Sequence, residues 1–331
     1  MNTLPRRAIV TTVPFGAVDP TPLDLLKSAG IDLVMNPIGR RLKATEVAEV
    51  VAGFPVVIAG TETINAQAMA GCRGLKAICR VGIGIDSVDL LATRRLGISV
   101  SYTPDGPSPA VAELTVALIL DLLRGVGVAD RAVRGGEWNR ISGARIATSC
   151  IGVVGVGRIG RRVIRHLQGG FAGVRILAND LVADPTLDAV EWVDKDRLYR
   201  ESDVVTLHVP LTSATHDMIG VRELAMMKPS AVLVNTARGG IVNEGALLEA
   251  LRAGTIRSAA LDVFAEEPYR GELARLPNVV LTCHMGSMTA DCRARMEIEA
   301  TREAIRIIDG EPLRSPVPDE EYHIAERLSR T

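Results

Sequence analysis

Cys150-Ile151-Gly152-Val153-Val154-Gly155-Val156-Gly157-Arg158-Ile159-Gly160 is the stretch that decides the fold. The apolar run Cys150–Val154 reads as a strand, and the residues from Arg158 to Leu167 read as an amphipathic helix. The glycines between them therefore form a tight strand-to-helix turn, which is the context a dinucleotide-binding motif requires. Gly155 permits the turn, Gly157 lets the backbone approach a pyrophosphate, and Gly160 lets helix and strand pack closely. Arg158 and Ile159 open the helix, whose N-terminus favours an anion. The next strand, Val174–Asn179, ends at Asp180. A carboxylate there accepts hydrogen bonds from the adenosine ribose and repels a 2′-phosphate, which points to NAD rather than NADP.

Outward from this unit, short β-branched runs alternate with helical patterns. Before it lie strands at Ala8–Val13, Ile31–Met35, Val56–Ala59, Ala77–Arg80 and Ile98–Ser101, with helices at Pro22–Ala29, Ala44–Ala52, Asn65–Gly71 and Ser87–Leu96. After it come strands at Asp203–His208, Ala231–Asn235, Arg257–Leu261 and Val279–Cys283. The runs are almost unbroken in Val, Ile, Leu and Ala, as in parallel strands covered on both faces. The fold class is α/β, with two Rossmann-like parallel-sheet domains and a cleft between them. One is a flavodoxin-like substrate domain and the other is dinucleotide-binding. Thr103–Pro109 is too rich in Pro and Gly for a helix or strand, and it precedes a long helix over Ala110–Arg124. A second long helix over Thr289–Gly310 is expected to cross back to the first domain. The expected domains are therefore 1–103 plus 290–331 for substrate and 104–289 for NAD.

Composition narrows the function. Of 331 residues, 47% are apolar and 23% charged, so the chain has enough apolar surface to fold. The 38 basic and 39 acidic side chains leave a net charge of -1, and aromatics are 3%. That excludes a dedicated nucleic-acid binder, which needs a basic surplus or stacking rings. Cys72, Cys79, Cys150, Cys283 and Cys292 form no C-x-x-C pair, so a reducing, cytoplasmic setting is expected. The first residues lack a signal peptide's apolar run, and Val111–Leu123 is too short and too charged to span a bilayer. No metal site is expected.

Three further groups sit at the carboxyl ends of predicted strands: Asn235-Thr236-Ala237-Arg238-Gly239-Gly240, Leu261-Asp262-Val263-Phe264 with Glu266-Glu267-Pro268, and Thr282-Cys283-His284-Met285-Gly286-Ser287. Open α/β sheets bind ligands at that edge, so an Arg, a Glu and a His converge there. The order G-x-G-x-x-G, HVPLT, NTARGG, LDVF with EEP, and a late H-x-G-S resembles the D-isomer-specific 2-hydroxyacid dehydrogenases, from about Val81 to Glu311.

The resemblance implies roles. Arg238 clamps the substrate, since a guanidinium binds a carboxylate and a carbonyl oxygen together. His284 exchanges a proton with the C2 oxygen, and Glu267 orients it and favours imidazolium. Asp262 holds the nicotinamide carboxamide, Thr236 lies beside that ring, and His208 and Pro210 of HVPLT lie on the cofactor side. Val81, Gly82 and Ile83 bind the substrate carboxylate through main-chain N–H groups. Ala110–Arg145, with Trp138, resembles the family's dimer arm, so a homodimer is expected. Cys283 replaces the usual Pro before the catalytic His. Alternation along a strand is expected to turn Cys283 and His284 to opposite faces. Asn243 replaces a common Asp.

The implied activity is NAD-dependent interconversion of a D-2-hydroxy acid and its 2-oxo acid. The leading substrate is 3-phosphoglycerate or a phosphorylated or phosphonate analogue, and the alternative is glyoxylate or hydroxypyruvate. The segment Ala59–Thr63, where phosphoglycerate dehydrogenases usually present an Arg, has no cation, so Arg40 or Arg41 is expected to supply the charge. The rival from another class is an NAD-sensing, corepressor-like binding protein. Turnover of a 2-oxo acid separates the two.

Overall fold

The computed structural model describes residues 4–328. The chain divides into two compact units: the described parts of Met1–Pro107 and Met288–Thr331, and Ser108–Ser287. Unit one begins β1 (Arg7–Val10), α1 (Thr21–Ser28), β2 (Asp32–Met35), α2 (Ala44–Val51), β3 (Val56–Ala59), α3 (Ala66–Gly71), β4 (Ala77–Arg80), α4 (Leu90–Leu96) and β5 (Ser99–Ser101). The strands pair in the order β2-β1-β3-β4-β5, all parallel, which is the flavodoxin-like arrangement. Every residue of β3 and β4 is buried. That explains why these strands read as continuous apolar runs rather than alternating ones.

Unit two carries α5 (Ser108–Arg124), α6 (Val126–Arg134), β6 (Cys150–Val154), α7 (Arg158–Gly170), β7 (Arg175–Asn179), β8 (Val190–Trp192), α8 (Lys195–Glu201), β9 (Val204–Leu207), α9 (Val221–Met226), β10 (Val232–Asn235), α10 (Glu244–Arg252), β11 (Ser258–Leu261) and β12 (Val279–Leu281). Its seven strands run β12-β11-β10-β9-β6-β7-β8, again all parallel. The order reverses at β6, the first strand of this sheet. Helix α5 starts at Ser108, inside the Pro-rich stretch expected to stay irregular. Pro109 sits in its first turn, where no N–H is needed. Asn243 caps α10 by accepting the Ala246 N–H at 2.9 Å, a task Asp and Asn perform equally.

The chain returns to unit one through α11 (Ala290–Ile308) and α12 (Asp319–Leu328). Met296, Ala300, Ala304 and Ile308 of α11 form one core cluster with Val10, Ile58, Cys79 and Leu26. Burial there pushes the Cys79 thiol up to about 12. A buried ion pair, Arg293 with Glu297, staples α11 to the loop after β1. Arg293 donates to the Thr12 hydroxyl at 3.0 Å and to the Pro14 carbonyl, while Glu297 accepts the Gly16 N–H at 2.8 Å. The opposite face of the sheet packs Ile9, Val57 and Ile78 against Val47, Val51 and Met69.

Met296 is 1% exposed within this cluster. Met296→Ala should cost about 2–5 kcal/mol of stability, as for other large-to-small core changes. Denaturant unfolding followed by circular dichroism reads that loss, and a change within error would mean that α11 is not part of the core.

Candidate active site

Parallel strands all end at the same edge of the sheet, so the turns that follow them line up in strand order. In unit two that edge carries, in order, His284 after β12, Asp262 after β11, Arg238 after β10, His208 after β9, Gly155 after β6 and Asp180 after β7. At about 4.8 Å between strands, β12 to β7 spans roughly 24 Å.

The glycine turn is built for close approach. Gly155 has φ 89°. A Cβ on Gly160 would run into the Gly155 carbonyl, so only glycine lets α7 start this close to β6. Gly157 precedes α7 and is exposed, with nothing within 4 Å of where a Cβ would sit. Helix first turns leave N–H groups without intrahelical partners, and those of α7 begin beside this open position. Arg158 is exposed and Ile159 half-buried at the helix start. The exposed Asp180 accepts the Val156 N–H at 2.6 Å and the Leu181 N–H at 2.6 Å, so it is tied to the glycine turn. This cradle fits a dinucleotide pyrophosphate, and the Asp180 carboxylate lies beside it.

His208 lies one residue past β9, and its N–H donates to the Val154 carbonyl at 2.7 Å. Its Nε2 pairs with the Thr206 hydroxyl at 3.0 Å, and its Nδ1 is buried without a partner. Burial pushes its pKa down to about 3, so the ring is neutral at physiological pH. Pro210 is exposed, and its carbonyl accepts the Thr215 hydroxyl at 2.6 Å. The buried Thr236 hydroxyl pairs with that of Thr115 on α5 at 2.8 Å. Because Thr115 also donates to the Val111 carbonyl at 2.8 Å, its single proton is taken and Thr236 donates within the pair.

Arg238 is half-buried on a turn held by Asn235, which accepts the Ala237 N–H at 3.0 Å and donates to the Arg238 carbonyl at 2.9 Å. An Asn at a strand end supports such a turn, and that was the readable signal for its role. A Cβ on Gly239 would strike the Phe264 carbonyl, so glycine brings the Arg238 turn against the segment leading to Glu267. Glu267 accepts the Phe264 N–H at 3.2 Å. His284 Nδ1 donates to both Glu267 oxygens, at 3.0 and 2.9 Å. Glu266, in contrast, is exposed.

One expectation changes here. Strand β12 stops at Leu281, so strand alternation does not separate Cys283 from His284. His284 instead has φ 52°, Cys283 is exposed, and the imidazole Nδ1 is held by Glu267. Asp262 is 1% exposed and already engaged: Oδ1 accepts the Thr282 hydroxyl at 2.6 Å and the Met285 N–H at 2.9 Å, and Oδ2 accepts the Gly286 N–H at 2.8 Å. A carboxylate offers about four acceptor positions, so one remains.

Val81, Gly82, Ile83, Arg40 and Arg41 belong to unit one. The Val81 N–H donates to the Ala59 carbonyl at 2.9 Å and the Gly82 N–H to the Thr103 hydroxyl at 2.9 Å, while Ile83 is half-buried. Arg80 braces the turn by donating to the Gly84 carbonyl at 2.8 Å. Arg40 forks onto Glu46 at 2.7 and 2.9 Å, and Arg41 donates to the Thr61 carbonyl at 2.7 Å. The Arg40 guanidinium holds the Glu46 carboxyl well below its usual range, at about 2. Among the described residues, no helix is long and apolar enough to cross a membrane, and no cluster of His, Cys, Asp and Glu could hold a metal.

Residues 116–286 match the family model for the NAD binding domain of D-isomer specific 2-hydroxyacid dehydrogenases. A glyoxylate reductase of Thermococcus litoralis is 37% identical over 264 residues, covering 76% of this chain and 79% of that protein. A hydroxypyruvate reductase of Thermotoga maritima is 34% identical over 295 residues, covering 86% and 96%. A D-3-phosphoglycerate dehydrogenase of Methanocaldococcus jannaschii is 37% identical, but this chain spans 50% of its length. The crystal structure of the TT0316 protein from Thermus thermophilus superposes with a TM-score of 0.86 at 34% identity, covering 94% of this chain and all of that one. The chain belongs to the D-isomer-specific 2-hydroxyacid dehydrogenases, oxidoreductases that use NAD.

Asp180 supports the glycine turn and also sets the charge beside it. Asp180→Ser with Leu181→Arg should therefore shift the ratio of kcat/KM toward NADPH while raising KM for NADH. A wild-type protein that prefers NADPH would overturn this assignment of Asp180.

Proposed function

We propose that the protein reduces a small 2-oxo acid without a distal anion, of the glyoxylate and hydroxypyruvate class, to the D-2-hydroxy acid. The observation that carries this is the state of Arg40. Its fork is already closed on Glu46, so a substrate phosphate would have to displace an existing carboxylate. The Glu62 carboxyl, 2% exposed in the loop after β3, adds support. It is held by the Thr11 hydroxyl and by the Gly60 N–H at 3.1 Å, and brings an acid rather than a cation to that segment. Phosphoglycerate therefore moves from the leading reading to the second one.

In this reading the cofactor, when bound as NADH, would supply the hydride to C2. Arg238 grips the substrate carboxylate and carbonyl oxygen and aligns C2. His284 delivers a proton from its Nε2 side to the C2 oxygen, because Glu267 occupies Nδ1. Glu267 fixes that tautomer and orients the ring. Gly155, Gly157, Arg158, Ile159 and Gly160 hold the pyrophosphate, and Asp180 the ribose. His208 and Pro210 flank the cofactor, Thr236 lies beside its ring, and Asp262 offers its remaining acceptor to the carboxamide. For the Val81-Gly82-Ile83 turn of unit one, the proposed contribution to carboxylate binding narrows to the N–H groups of Ile83 and Gly84, because those of Val81 and Gly82 are bonded to Ala59 and Thr103.

The same reading makes the protein a cytoplasmic homodimer. Leu120, Val126 and Val133 are 37%, 59% and 53% exposed on α5 and α6, and Trp138 is 80% exposed. A second copy would cover this apolar arm. The five cysteines are free thiols.

A panel of 2-oxo acids assayed with NADH tests the substrate. Glyoxylate or hydroxypyruvate should give the highest kcat/KM, and Arg40→Ala should leave the panel ranking unchanged. Preferential turnover of a phosphorylated acid, lost selectively in Arg40→Ala, restores the phosphoglycerate reading. No turnover of any 2-oxo acid favours the NAD-sensing alternative.

Glu267→Gln keeps one acceptor beside Nδ1 but loses one of the two oxygens that hold it, so kcat for reduction should fall by about tenfold or more while the Kd for NADH stays within a factor of about three. A kcat near the wild-type value contradicts Glu267 as the partner of His284.

A further inference from the structure

Residues 282–286 wrap a buried carboxylate. The Thr282 N–H still pairs with the Leu261 carbonyl at 3.0 Å, and the His284 N–H pairs with the Asp262 carbonyl at 2.8 Å. At the second anchor the backbone takes a left-handed conformation, with φ 52° at His284. A non-glycine residue persists there only when its surroundings over-determine it. Here one side chain gathers the backbone that follows His284. The N–H groups of Met285 and Gly286 converge on the Asp262 carboxylate at 2.9 and 2.8 Å. Consecutive N–H groups beside a left-handed residue form a concavity that takes an anion. In this protein the anion is its own aspartate, and the Thr282 hydroxyl completes the set by donating to Oδ1 at 2.6 Å.

His284 is thereby held twice. Glu267 fixes its ring through Nδ1, and Asp262 fixes its backbone. Oδ1 receives donors from both ends of the wrap, the Thr282 hydroxyl before His284 and the Met285 N–H after it. Without the hydroxyl, Oδ1 keeps only the Met285 N–H, and the carboxylate is held from the outgoing side of the wrap alone. The nest would then loosen and the imidazole would swing with it.

We propose that Thr282 is a positioning residue for the reaction, acting through Asp262 to hold His284 in the left-handed turn that presents its Nε2. This rests on His284 being the acid–base group. It gives Asp262 a second task besides any contact with the cofactor.

The test uses full-length protein, NADH and the 2-oxo acid that the wild type reduces fastest in a panel. Thr282→Val removes the hydroxyl at nearly constant volume. It should lower kcat by about tenfold to a hundredfold, the usual effect of a misplacement on the order of 1 Å. KM for the 2-oxo acid and the fluorescence-titrated Kd for NADH should stay within a factor of about three, and Thr282→Ser should restore most of kcat. If Thr282→Val does not fold, Thr282→Ala is read against Thr282→Ser in the same way. A kcat near the wild-type value in Thr282→Val, with His284→Ala inactive, overturns the proposal and leaves the role of His284 intact. Activity retained in His284→Ala overturns the acid–base assignment itself. Parallel loss of NADH affinity and kcat would make Thr282 part of the cofactor site, which also overturns the proposal. Failure of Thr282→Ser to recover activity does the same, because a hydroxyl in that place is all the proposal asks for.

Discussion

Strands can lie parallel in one sheet only if each connection carries the chain back across the full length of the sheet. Every turn that leaves a strand then emerges at one edge and every returning helix lies on a face. This constraint organises the molecule. It buries β3, β4, β6, β9, β10 and β11 completely, because helices cover both sides. It also gathers residues scattered from Gly155 to His284 into one row whose order is that of the strands rather than of the chain. The groups assigned to the chemistry follow β10, β11 and β12, and the glycine turn and Asp180 follow β6 and β7.

Much of this was legible because the signals were local. The glycine turn, the run of buried strands and the strand-end motifs each rest on a few neighbouring residues, and the fold and family followed from them. What stayed hidden depended on contacts between distant residues or on where an element stops. Strand β8 has only three residues, none fully buried, so it lacked an apolar signature. The expected strand Val279–Cys283 ends at Leu281, because Thr282 and His284 turn to wrap Asp262. Asp262 itself read as a residue facing the cofactor. Three of its acceptor positions prove to be taken by Thr282, Met285 and Gly286, which no spacing rule predicts.

Charge in unit one shows the same limit. Arg40 and Arg41 stand out in the sequence as cations without a partner. In the fold Arg40 meets Glu46 at the start of α2, and Arg41 meets the Thr61 carbonyl. A free cation and a paired one are identical in sequence, and they differ in what they offer an anionic substrate.

The return of α11 has a consequence for the order in which the protein forms. Met296, Ala300, Ala304 and Ile308 complete a core whose other members lie among the first 81 residues, and the whole of unit two is synthesised between them. A chain emerging from the ribosome therefore exposes one apolar face of its first sheet while residues 108–287, which contain all of their own sheet, can already collapse. Helix α1 covers part of that face through Leu26, and α11 completes the cover and ties the loop after β1 to Arg293 and Glu297. The first segment made is the last to finish folding, and during that interval the part of its sheet face that α11 will cover stays open to aggregation.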